Sequence, residues 1–396
     1  MTRPFEGIRV IDATHVLAGP FAAYQLAVMG ADVIKIENPK LMDQVREQGP
    51  DENLNSAGMG TYYLTQGANK RSVTLDLNQP QGRQLFKELV AQADVLVENY
   101  RAGAFDALGL GYEELSRLNE KLIYCSMTAF GQEGPRANQT AYDMQIQATS
   151  GIMAATGTPE VNPIKVGPPV VDYATGTMGA LAISSALFQR ERTGRGQYID
   201  LAMLDVALVL MSADATNYLW SENLPRPAGN DMPLAGARCY ATKDGQLMVG
   251  AMNRQQHRRL FNYFGYPEIA KITDYPPRFD AGDKHAEILQ EKLLTRSAAE
   301  WEEELQSQHI PAARVRNIAE ALADGQLESR HVTHQFKNFK GSGKPLSVPV
   351  AAFKFAHDGP QVDTEPPTHG QHTDEVIREL GYSDEDIRKY RSQGVI

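Results

Sequence analysis

Residues 166–176, Val-Gly-Pro-Pro-Val-Val-Asp-Tyr-Ala-Thr-Gly, set one carboxylic acid, Asp172, between two valines and the start of a long apolar run. A carboxyl group there is partly stripped of water and lies near the head of a helix, a setting that can activate it as a nucleophile. The same placement also suits an N-cap, in which the aspartate accepts backbone N–H groups and does no chemistry. The residues alone leave both roles open. Other reactive types are sparse. Cys125 and Cys239 are far apart with no CxxC, so two free thiols in a reducing compartment are expected, not a disulfide or a zinc site. His331 and His334, and His369 and His372, form i, i+3 pairs without an accompanying ligand pattern; surface positions and no metal are expected. No GxGxxG follows the first apolar segment, and GxxxxGK[ST], HExxH and GxSxG are missing.

The elements that would position Asp172 follow from periodicity. Residues 7–12 read as a strand, His15–Pro20 as a small-residue loop, 21–29 as a helix ended by Gly30, and 31–37 as a second strand. Strand, helix and strand within about 30 residues make a βαβ unit, hence a parallel sheet. The pattern recurs with strands at 72–77, 94–98 and 121–126, and a helix at 79–93 carrying Pro80 in its first turn. An open α/β sheet with helices on both faces is predicted, with ligands beyond the strands' C-terminal ends at His15–Pro20, Asn38–Pro39 and Asn99–Arg101. Residues 173–190 and 198–220 read as long, mostly buried helices separated by the turn at 193–197. Pro225, Pro227, Gly229 and Pro233 mark a domain boundary within 221–236. A hairpin at 238–250 and helices to about 324 follow, then a loop-rich tail with a helix near 374–380.

The 396 residues exceed one ordinary core, so two domains are expected. Hydrophobic residues are 42% and charged residues 22%, as in soluble globular chains. With 39 basic and 49 acidic residues, the net charge of −10 argues against a nucleic-acid partner. The longest apolar stretch, Leu201–Met211, is broken by Asp205 and falls short of the roughly 20 residues of a membrane span. With no apolar signal-like segment at the N-terminus, a soluble cytoplasmic protein without a membrane partner is expected.

Several segments, taken together, carry a family pattern. They are Gly7-Ile-Arg-Val-Ile-Asp12, Gly30-Ala-Asp-Val-Ile-Lys-Ile-Glu37, Asn69-Lys-Arg-Ser-Val-Thr-Leu-Asp76, Ala93-Asp-Val-Leu-Val-Glu-Asn-Tyr100, Ala141-Tyr-Asp143, Gln147-Ala-Thr-Ser-Gly151, Arg192-Thr-Gly-Arg-Gly-Gln197 and His369-Gly-Gln-His-Thr-Asp-Glu375. Their order and spacing resemble the class III CoA-transferases, the group of formyl-CoA transferase and the carnitine-pathway CoA-transferases. The resemblance implies a Rossmann-like large domain (1–224) that binds coenzyme A and does the chemistry, a smaller α+β domain (225–325), and a C-terminal segment (326–396) returning to the large domain. It also implies an interlocked homodimer. It makes Asp172 the nucleophile that attacks an acyl-CoA thioester, giving a mixed anhydride and then an aspartyl-CoA thioester before CoA passes to a free acid. Gly151 or the Gly229 region would supply oxyanion donors. Coenzyme A would be held by Val16, Ala18, Asn38, Leu75, Asn99, Tyr100 and Tyr142, with Lys70 and Arg71, and less so Arg46 and Arg101, as phosphate partners.

The chain departs from the family at Asn38, where an arginine is common, and at Asn78, Ala107 and Thr140, which are basic in some relatives. No run of glycines occurs in 221–260, unlike formyl-CoA transferase. The nearest alternative is an α-methylacyl-CoA racemase, which pairs its aspartate with a histidine. Tyr142 stands in that position here, and no histidine lies between His15 and His257. A phenol, with an ordinary pKa of about 10, is a poor base near neutrality. A CoA-binding protein without turnover is the other alternative; it would bind CoA and transfer nothing. Tyr142, Gln145, Gln147 and Tyr173 point to a small polar acid as substrate.

Overall fold

A computed structural model describes residues 2–341 and 344–396. Two compact units emerge, one of Met1–Ile152, Lys165–Leu224 and Gln326–Ile396, the other of Met153–Ile164 and Pro225–Gly325.

The first unit is built on six parallel strands: β1 (Arg9–Ala13), β2 (Asp32–Glu37), β3 (Lys70–Thr74), β4 (Val95–Glu98), β5 (Ile123–Thr128) and β6 (Gln197–Ala202). They lie side by side in the order β3-β2-β1-β4-β5-β6. That order reverses direction between β1 and β4, so the loops leaving those two strands diverge and open a crevice at the sheet's C-terminal edge.

Both faces of the sheet are buried, and the period-2 alternation of each strand sorts its side chains between them. Ile11, Leu96 and Tyr124 enter one core; Val10, Val95, Val97, Ile123 and Cys125 enter the other. The second core is closed by helices α1 (Ala18–Val28) and α3 (Val170–Thr193). The first is closed by α2 (Pro80–Ala91) and by the chain's end, through Val376, Ile377, Ile387, Val395 and Ile396. The tail also bonds to the β3 edge: Ser72 N donates to His372 Nδ1 (3.1 Å), Thr74 N to Thr373 Oγ1 (3.0 Å) and Asp76 N to Val395 O (2.8 Å).

Three local expectations are corrected. Residues 197–202 form β6, since Tyr198, Ile199 and Leu201 pair in register with β5; only Met203–Leu210 and Ser212–Ser221 are helical. These two helices are also largely exposed in the isolated chain. The tail is less irregular than expected: Thr333–Phe336 pairs with Leu346–Pro349, and a helix at Asp384–Ser392 begins with Ser383 and Asp386 capping each other reciprocally. Nor are His369 and His372 surface residues. Both are half-buried, and His369 Nε2 bonds Asn38 O (3.0 Å).

The second unit has a three-stranded antiparallel sheet, Cys239–Ala241, Gln246–Val249 and Ala312–Arg314. Its helices close over Leu247, Val249, Leu260, Phe261, Leu289, Trp301 and Leu305. No helix among the described residues is long and apolar enough to cross a membrane.

Candidate active site

The crevice at the β1/β4 reversal holds a cavity of 490 Å³. One wall is the loop after β1, whose shape depends on buried charge beneath it. Lys70 pairs with Asp12 (2.8 Å), Lys35 with Asp43 (3.3 Å) and Arg46 with Glu37 (2.6 Å), all inside the protein. Burial disfavours the Asp12 anion, but Lys70 and Lys35 outweigh it and hold the carboxyl at about 2. Removing one partner of such a pair costs about 3–5 kcal/mol, because the other is left charged and dry.

Asp43 also reaches up to the loop. It accepts the Val16 amide (3.1 Å), while Gln66 Nε2 donates to Val16 O (2.7 Å). With its peptide groups held from both sides, Val16 adopts φ +69, a left-handed conformation costly for a β-branched residue. Asn99, just past β4, locks the two loops together: its side chain accepts from His15 N (2.9 Å) and donates to His15 O (2.8 Å). Tyr100 then packs edge-on against the His15 ring at 5.3 Å. Burial holds His15 below its ordinary pKa, favouring the neutral imidazole.

The facing wall carries Asp172. It lies in the first turn of α3, but it is not the cap. That role falls to Asp143, whose Oδ2 accepts from Val171 N (2.8 Å) and Asp172 N (3.1 Å). Gln147, fully buried one turn along Asp143's helix (Asp143–Ser150), donates to Asp143 Oδ1 (2.5 Å) and accepts from Val166 N (2.9 Å). The Pro/Gly-rich approach and the helix start are thereby pinned to one neighbour. The Asp172 carboxyl is left with no salt bridge or side-chain hydrogen bond among the described residues, and it lines the cavity. Desolvation, then the nearby Asp143 carboxylate, push it up to about 7.

Val16, Ala18, Asn99, Tyr100 and Tyr142 line this cavity together with Asp172 and Arg101. Asn38 and Leu75 line a smaller one of 80 Å³, and Tyr100 borders both. Lys70 and Arg71, expected as phosphate partners, line neither of these cavities. Lys70 is 3% exposed and bonded to Asp12 and to Pro20 O (2.8 Å). Arg71 is tied to Asp32 (2.7 Å), Glu375 (3.0 Å) and Glu379 (2.5 Å). Arg46 is consumed likewise by Glu37. Gly151 does not line the cavity, and within the second unit the Gly229 amide donates to Gly157 O (2.6 Å). Nothing local in Ala141-Tyr-Asp143 marks Asp143 as the cap of a helix that begins 27 residues on, so this role emerges only from the fold. Among the described residues no three His, Cys, Asp or Glu side chains are grouped as a metal site would need.

Comparison with known proteins agrees with this arrangement. The family model described as CoA-transferase family III matches residues 5–373. The chain is 36% identical to a succinate–glutarate CoA-transferase of Agrobacterium fabrum, over 95% of this chain and 96% of that one. It is 33% identical to the human succinyl-CoA:glutarate CoA-transferase, over 100% and 90%. Among solved structures, a CAIB/BAIF family protein from Brucella suis superposes with a TM-score of 0.83 at 33% identity, covering 96% of this chain and all of that one. A 3-2-1-4-5-6 sheet, a bare carboxyl at its switch point and similarity along the whole length converge on one conclusion: the chain belongs to CoA-transferase family III and is a CoA-transferase.

Proposed function

We propose that this enzyme moves CoA between an acyl-CoA and a free dicarboxylic acid, with Asp172 as the covalent nucleophile. The observation that carries the reading is the Asp172 carboxyl, part-desolvated, without a partner and facing the cavity at the sheet's switch point. Its oxygen attacks the donor thioester carbonyl; CoA thiolate leaves and a mixed anhydride forms. The thiolate then attacks Cγ of Asp172, releasing the donor acid and leaving an aspartyl-CoA thioester. The acceptor carboxylate reverses these steps. Coenzyme A would lie along Val16, Ala18, Asn99 and Tyr100, with Asn38 and Leu75 at its far end. Arg101 is the lining cation available for a phosphate or for the second carboxylate of a diacid.

Dicarboxylates are favoured because the relatives' names share them: succinate with glutarate, with L-malate and with mesaconate. The cavity's polar lining of Gln139, Tyr142 and Gln145 supports a polar acid. A homodimer is supported by exposed apolar side chains on the helices after β6, where Leu219 is 82% and Trp220 is 90% exposed. Soluble monomers rarely leave such patches uncovered. Two unpaired cysteines fit a cytoplasmic setting.

The test is incubation with succinyl-CoA and a panel of mono- and dicarboxylates, followed by intact-protein mass spectrometry. The wild type gains a CoA adduct that hydroxylamine removes, and it transfers to diacids. Asp172→Ala and Asp172→Asn gain no adduct and lose turnover by at least about 10³-fold, the scale at which removing a nucleophile acts. Near-normal turnover in either variant overturns the assignment.

A further inference from the structure

Helix α3 carries five serine and threonine side chains, and four of them behave alike. Thr177 donates to Tyr173 O (2.8 Å), Ser184 to Ala180 O (2.6 Å), Ser185 to Leu181 O (2.8 Å) and Thr193 to Gln189 O (3.2 Å). Bonding back to the carbonyl four residues earlier is the ordinary outlet for Ser and Thr in a helix. Thr175 is the exception. It is fully buried, and its Oγ1 has no hydrogen-bond partner among the described residues. Among the five it is also the only residue that lines the catalytic cavity, three residues from Asp172 and so on the same helical face. A buried hydroxyl without a partner is costly, and natural chains keep one where function uses it.

We propose that Thr175 is a catalytic residue, its hydroxyl donating a hydrogen bond to the oxygen that becomes negative on Asp172 Cγ. This rests on Asp172 being the nucleophile. When CoA thiolate attacks Cγ of the mixed anhydride, the carbonyl π electrons move onto the Cγ oxygen. They return as the bond to the donor carboxylate breaks, leaving the aspartyl thioester. When the acceptor carboxylate attacks that thioester, the same oxygen carries the charge until thiolate departs. Thr175 keeps its proton throughout. Both half-reactions cross a tetrahedral centre at Cγ, and Gly151 is not among the residues lining the cavity. A donor already inside the protein needs no solvent reorganisation to meet the charge.

Thr175→Val is nearly isosteric and removes only the hydroxyl. The expected result with succinyl-CoA alone is adduct formation slowed by about 10²-fold, the effect of losing one oxyanion donor. Succinyl-CoA KM stays within about twofold of wild type, since a donor acting only in the transition state leaves ground-state binding untouched. Thr175→Ser restores the rate to within a few-fold, and the melting temperature of Thr175→Val rises because an unpartnered polar group is gone. A Thr175→Val enzyme that acquires its adduct at the wild-type rate overturns the proposal while leaving Asp172 in place. An adduct on Asp172→Asn instead overturns the underlying mechanism.

Discussion

A carboxylate in the first turn of a helix normally ionises easily, because the helix's positive end favours the anion. Asp172 does the opposite because burial strips it of water and Asp143 already occupies that end, accepting the Val171 and Asp172 amides. The capping charge satisfies the helix, and its proximity, added to burial, raises the neighbour to about 7. The sign follows directly. Below that value Asp172 is mostly protonated and cannot attack; above it the anion is present in full. The kcat/KM for succinyl-CoA should therefore rise about tenfold per pH unit below 7 and level off above it, the form expected for one essential base. Asp143→Asn keeps an acceptor oxygen but removes the charge, so the acid limb should move to lower pH. A limb unmoved in that variant would mean that desolvation alone sets the shift.

At the scale of elements, the close approach of α1 and α3 sets where Asp172 stands, and two glycines permit it. A Cβ on Gly176 would lie 2.6 Å from Ala18 O and 2.9 Å from the Phe21 ring. A Cβ on Gly179 would meet only the tip of Met127 at 3.1 Å and Ala22 Cβ at 3.3 Å. The first obstacle is backbone and cannot yield; the second includes a flexible thioether. Gly176→Ala should destabilise the protein by about 1–3 kcal/mol in urea unfolding, the ordinary cost of overpacking. It should also lower kcat, since α3 is levered away from the loop after β1. Gly179→Ala should fall within about 1 kcal/mol of wild type, because the strain is offset by the helix preference for alanine over glycine. Equal losses in the two variants would contradict this account of the contact.

At the scale of the molecule, the chain's two ends share one core. Ile377, Ile387 and Ile396 share that core with Ile11 and Leu96, so the catalytic unit needs segments far apart in the sequence. The apolar helices at 203–221 are left uncovered within a single chain. Light scattering should give twice the chain mass for the wild type, and Leu219→Asp with Trp220→Asp should reduce it to one. A wild type that is monomeric at micromolar concentration would remove the dimer from the proposed function.

Much of this protein was legible from local pattern. The parallel strands, the helices that follow them and the crevice loops at His15–Leu17 and Asn99–Arg101 follow from the periodicity of short segments, which neighbouring side chains enforce, although α1 begins at Ala18, inside the expected loop. The reciprocal Ser383/Asp386 cap is equally local, set by two residues three apart. The edge strand β6 and the fates of Lys70, Arg71 and Arg46 were not legible. A strand is made by its partner, and β6 pairs with β5, some 70 residues earlier. A basic side chain reads the same in sequence whether it meets a phosphate or a buried carboxylate; Lys70 meets Asp12 and Arg46 meets Glu37 only once β1, β2 and β3 lie side by side. The sequence alone determined the chemical type of the residue at 172. Tertiary structure decided that its carboxyl would be bare, dry and facing a cavity, because the cap that frees it comes from another helix.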